Sequence, residues 1–171
     1  MPDCRAQLQP TIRHPPPDRK GRLPVFFSTG NRTGYNGRMP TCSVTQIRVR
    51  YAETDAMGIV HHAVYPVWME LGRSDFLREA GMPYPEWERE GIMMAVSELK
   101  LTYRAPAHYD ELVTVRSWLK SGNRRKVVFG YAIDRDGVRL LEGESVHLVV
   151  GPDGRHRTLP EAMLALVVSA L

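Results

Sequence analysis

Residues 51–65 read Tyr-Ala-Glu-Thr-Asp-Ala-Met-Gly-Ile-Val-His-His-Ala-Val-Tyr. They bring an acidic residue, a glycine turn and the start of a helix close together. A helix N-terminus presents unpaired N–H groups and about half a positive charge. A carbonyl placed against it is polarised, and its oxygen is held best when it turns negative in a tetrahedral transition state. Asp55 supplies the second requirement, because the positive helix end favours an ionised carboxylate. That carboxylate can attack the carbonyl to give a mixed anhydride, or deprotonate a water, and the residues leave both routes open. Taken alone, Asp55 reads as an ordinary acid at the start of a helix. The surrounding motif gives it a role.

Glu53, Asp55, His61 and His62 also raise the question of a metal. Adjacent histidines chelate one ion poorly and no third well-spaced ligand follows, so no metal site is expected. One of the two imidazoles is read as packing or hydrogen-bonding in the site and the other as tuning its entrance, with His61 a substrate-binding candidate. Glu70, two turns into the helix, is a candidate for holding a water or a partner group, against the alternative of a solvated helix Glu. Tyr65, Trp68, Met69 and Met94 are candidates to line a pocket, although aromatic and Met side chains at helical spacing are usually core, and Trp68 is read as core.

These residues need a scaffold. Ile47-Arg48-Val49-Arg50-Tyr51 alternates as a strand with one buried face. A helix is expected over 62–80, with Pro66 confined to its first turn, Gly81 at its end and Pro83 blocking continuation. Tyr65, Trp68, Gly72, Phe76 and Ala80 share one helix face. Gly72 weakens that helix by about 1 kcal/mol against Ala, which suggests that it lets a sheet approach closely. Alternation then predicts strands over 99–103, 112–119, 127–133 and 138–150. A turn at Gly122-Asn123 and a hairpin at Asp134-Arg135-Asp136-Gly137 separate them. Thr158 and Glu161 have capping-box spacing for a short terminal helix. Strands joined by turns pair antiparallel, so the fold class is α+β.

The motif Asp55-x-x-Gly58-Ile59-Val60-His61, with Tyr65 following, resembles the 4-hydroxybenzoyl-CoA thioesterase family, and most nearly its YbgC-type acyl-CoA thioesterases. The resemblance runs from about Val44 to the terminal helix. It implies a hot-dog fold, an antiparallel five-stranded sheet wrapped around one long central helix. It implies hydrolysis of acyl-CoA or acyl-carrier-protein thioesters, with Asp55 as nucleophile or base and the backbone N–H of His62 polarising the carbonyl. Gly58 and Tyr65 belong to the same catalytic motif. The family more often ends the motif in an Asn pair where this chain has His61-His62, and a backbone donor survives that change. The resemblance further implies a homodimer or homotetramer with sites at the subunit interface. It gives Arg124-Arg125-Lys126 a role in holding coenzyme A phosphates, for which Arg forks are suited. Lys100 and Arg104 are weaker candidates of the same kind. Coenzyme A is part of the substrate, and no separate cofactor is implied. The rival readings are an acyl-thioester binder without hydrolysis and a hot-dog dehydratase; the His/Asp pattern of the latter is not found.

Of 171 residues, 43% are hydrophobic and 25% charged, as in a soluble globular protein. The net charge is +4, yet residues 1–38 alone carry seven Lys/Arg against Asp3 and Asp18. The basic excess therefore belongs to the tail and gives no support to nucleic-acid binding. Residues 1–42 read as a disordered Pro/Arg-rich tail, with Met39 as an alternative start, and residues 43–171 as the domain. Cys4 and Cys42 have no ligand spacing and are read as reduced thiols. No membrane span or secretory leader is read, which points to the cytoplasm.

Overall fold

A computed structural model describes residues 40–169 and 171. The expected tail and the Met39 start therefore lie, up to residue 39, outside the described residues. Five strands, β1 (Ser43–Arg48), β2 (Met93–Tyr103), β3 (Leu112–Gly122), β4 (Lys126–Arg135) and β5 (Val138–Val150), form one antiparallel sheet in the order β1-β3-β4-β5-β2. The long helix α1 (Val64–Glu79) lies on one face of it, followed by α2 (Tyr84–Arg89) and, at the end of the chain, α3 (Glu161–Ser169). This is the expected hot-dog arrangement.

Alternation decides which face is core. Val113, Val115, Ser117 and Leu119 of β3 are buried beneath α1, while Arg116 and Trp118 point to the other side. From α1 the sheet receives Tyr65, Trp68, Met69, Gly72 and Phe76. Gly72 is where helix and sheet come closest: a Cβ there would sit 2.3 Å from Ser117 Oγ and 2.9 Å from Val115 Cγ1. Two side-chain bonds fasten the far flank of the helix to β1, Thr45 Oγ1 to Asp75 at 2.7 Å and Ser43 Oγ to Glu79 at 2.9 Å. At its C-terminus Gly81 takes φ +71°, and Met82 N–H reaches back to Leu77 O, a Schellman end.

The structure redraws several boundaries. β1 ends at Arg48 rather than running through Tyr51, because Glu53 accepts from the Arg50 N–H and guanidinium and winds 51–53 into a 3-10 turn. β2 begins at Met93, six residues before the expected strand, with a bulge between Val96 and Glu98. Helix α2 was not expected; Pro83 stops α1 but also stands as the N-cap of α2. In α3 the first helical bond runs from Leu164 N–H to Pro160 O, so Pro160 and not Thr158 precedes the first turn. Cys42 is fully buried and disulfide-bonded, which corrects its reading as a reduced thiol; Cys4 lies outside the described residues. Among the described residues, no helix is long and apolar enough to cross a membrane.

Candidate active site

The segment before α1 is a small hairpin. Thr54 and Val60 form an antiparallel bridge, Asp55 N–H donates to Ile59 O at 2.9 Å, and Gly58 N–H donates to Asp55 O at 2.9 Å. Gly58 sits at the turn with φ +73°, a conformation glycine adopts without strain. Two further bonds seat the hairpin: His61 N–H to Glu53 O, and Val60 N–H to Ala107 O. Glu53 is buried and takes three donors, the Arg50 N–H and guanidinium at 2.8 Å each and Trp68 Nε1 at 3.2 Å. Burial alone would raise its pKa, but those hydrogen bonds and the Arg50 charge outweigh it and hold the carboxyl below the usual carboxylate value.

Asp55 itself is half-buried. Its Oδ1 accepts from Met57 N–H at 2.8 Å, a local Asx turn, and among the described residues its second oxygen has no partner. At the start of α1 the donors divide. Val64 N–H goes to His61 O, and Ala63 N–H to His61 Nδ1 at 3.3 Å, while no side chain caps the helix itself. Among the described residues the His62 N–H makes no hydrogen bond. The two imidazoles lie against each other, centroids 4.2 Å apart, and Tyr103 on β2 donates its hydroxyl to His62 O at 2.9 Å. One loop thus carries Asp55, Gly58, His61 and His62 together at the edge of the sheet.

The other expected residues fall elsewhere. Tyr65 is buried, packed edge-on to Trp68 and Tyr103, and burial pushes its hydroxyl pKa up. Trp68, Met69 and Met94 belong to the core. Glu70 is exposed on α1. Arg124 pairs with Glu161 at 3.0 Å, while Arg125 lines a basic depression of about 300 Å³ with His156, Arg157 and Thr158. Lys126 is exposed. Lys100 lines a groove of about 520 Å³ on the opposite face of the sheet, and Arg104 pairs with Glu142. Among the described residues no cluster of three or more His, Cys, Asp or Glu has metal-site geometry.

The five-stranded sheet and its long helix form a hot-dog fold, with an acid-bearing hairpin just ahead of the helix. The Thioesterase superfamily model matches residues 57–142. YneP of Bacillus subtilis is 40% identical over 109 residues, covering 63% of this chain and 79% of that protein. Acyl-CoA thioester hydrolase YbgC of Escherichia coli is 29% identical over 121 residues, covering 70% and 90%. The crystal structure of a hypothetical protein from Thermus thermophilus superposes with a TM-score of 0.73 at 45% identity, covering 75% of this chain and 99% of that one. The chain belongs to the thioesterase superfamily.

Proposed function

We propose that this protein hydrolyses acyl-coenzyme A thioesters, with Asp55 as its catalytic carboxylate and the His62 N–H as the donor that holds the carbonyl oxygen. The observation that carries this reading is the pairing, in one loop, of a carboxylate oxygen and an N–H just ahead of α1 that both lack partners among the described residues. The N–H stabilises the oxyanion of the tetrahedral intermediate. Asp55 either attacks the carbonyl carbon or takes the proton of an attacking water. In both routes the C–S bond breaks, coenzyme A leaves as the thiol, and water supplies the second oxygen of the acid. Water is the one co-reactant, and no metal or separate cofactor enters. Gly58 and Tyr65 shape the loop and its buried support, and His61 Nδ1 takes the Ala63 N–H beside the donor.

The nucleotide end of the substrate requires cations, and the Arg125, His156 and Arg157 depression offers them in concave form. Arg124 and Lys126 flank it. Within one chain this depression lies far from Asp55. Tyr103, which touches His62, pairs with Leu141, whereas Arg125 O accepts from Val149 N–H, eight residues further along β5. At ~3.3 Å per residue, that is about 26 Å of strand. Strand β2 is also an unpaired sheet edge whose inner face leaves Val96 57%, Leu99 46% and Tyr103 45% exposed. Such an edge is normally covered. A second copy adding its own β2 antiparallel would cover it and bring that copy's basic end beside Asp55. The active form is therefore a homodimer, or a tetramer of two such pairs.

The test is Asp55→Asn, which keeps the shape and removes the anion. It is expected to lower kcat on acyl-CoA by roughly 10²–10⁴ with an unchanged circular dichroism spectrum. Undiminished turnover would overturn the assignment.

A further inference from the structure

Beneath the β5-facing side of α1 lies a polar cluster that the proposed chemistry leaves unused. Tyr131 hydroxyl meets Ser145 Oγ at 2.9 Å, and Ser145 Oγ meets His147 Nε2 at 2.7 Å. All three side chains are buried, His147 completely. Arg73 NH1, from the helix above, stands 3.5 Å from His147 Nε2, and its positive charge lies near the Tyr131 hydroxyl. A guanidinium only donates, so Nε2 is an acceptor and the imidazole proton sits on Nδ1. That Nδ1 is buried without a partner among the described residues. Burial first, and then the Arg73 charge, lower the His147 pKa to about 4, which keeps the ring neutral near pH 7. Among the described residues Arg73 forms no ion pair, not even with Glu70 one turn earlier, which is the acid facing the same side. The cluster thus holds surplus donors and one half-buried positive charge with no ion pair among the described residues. Such a group costs free energy until an anion meets it.

Its place in the fold suggests the anion. Ser145 lies four residues along β5 from Leu141, the partner of Tyr103 and so level with His62, which is about 13 Å at ~3.3 Å per residue. The wall between is apolar: Leu101, Leu99 and Val96 of β2 pair with Gly143, Ser145 and His147 and share their face, and Met69 packs over Gly143. We propose that this cluster is the distal end of the acyl site, and that Arg73 receives a carboxylate carried at the far end of the acyl chain. The reach corresponds to roughly ten bonds of an extended chain with ~1.5 Å C–C bonds bent at tetrahedral angles. The inference rests on the thioesterase reading above and names the substrate class for that site.

The experiment compares kcat/KM for matched pairs of esters of graded length, the mono-coenzyme A ester of a dicarboxylic acid against the methyl-ended acyl-CoA of equal length. The wild-type enzyme is expected to prefer the carboxylate-ended ester by about tenfold near the stated reach, the worth of one charge-assisted hydrogen bond. Arg73→Met is expected to abolish that ratio and Arg73→Lys to retain part of it, with thermal melting confirming that both fold. A preference for the methyl-ended ester in the wild type, or an undiminished ratio in Arg73→Met, would overturn the proposal. So would the result that Arg73→Met and Glu70→Gln both dissociate the oligomer in sedimentation while the ratio stays, since Arg73 would then serve a second copy. Because the readout is a ratio within one enzyme, it stands apart from Asp55→Asn, which is expected to depress both esters alike.

Discussion

Glu53 and Asp55 are two residues apart and have opposite fates. Glu53 is buried with three donors around its carboxylate, whereas Asp55 keeps one oxygen unengaged. The difference follows from the Arg50–Glu53 capping box, which draws one acid inward and leaves the other on the turn. Glu53→Gln is expected to destabilise the fold by about 1–3 kcal/mol through lost charge-assisted bonds, read by urea denaturation at pH 7. The sign of the pH dependence is set by the depressed carboxyl pKa: the stabilisation is fully present above the unfolded value near 4.5 and is lost as pH falls through the folded one. The wild type should therefore lose stability below about pH 5 more steeply than Glu53→Gln. The sequence marked Asp55, Gly58 and the histidines because their types and spacing are local. It gave no such mark to Glu53 or Arg73, whose roles depend on Trp68 and His147, residues 15 and 74 positions away. The available hint was phase: Ser145, His147 and Val149 alternate on the inward side of β5, where polar residues stand out.

Hydrophobic periodicity located every strand and the long helix, but it located their ends less well. β1 stopped short because a side-chain cap, invisible to periodicity, turned the chain at Arg50. Helix α2 has six residues, too few for a period to register, and Pro83 was legible only as a stop. Gly72 was legible in a stronger sense, since a glycine in mid-helix on the buried face implies a close neighbour, and Ser117 and Val115 are that neighbour. Gly72→Ala should gain about 1 kcal/mol of helix propensity yet lose more. Its Cβ would press on the Ser117 and Val115 side chains of β3, an overpacking that costs typically about 1–3 kcal/mol. A lower melting temperature for Gly72→Ala is the expected result, and a raised one would show that α1 can lift from the sheet.

The proposed homodimer came from the resemblance alone, because an edge strand looks like any other strand until its neighbours are known. The sheet order leaves β2 unpaired and sets the Asp55 hairpin and the Arg125 depression at opposite ends of it. This arrangement has a genetic consequence. A chain lacking the carboxylate and a chain stripped of its basic end would each be inert alone, yet they carry complementary halves. Co-refolded in equal amounts, Asp55→Asn and an Arg124→Ala/Arg125→Ala/Arg157→Ala variant should form mixed pairs with one intact centre each. That restores roughly a quarter of wild-type turnover when chains assort at random. Two silent polypeptides would rescue one another in a single tube.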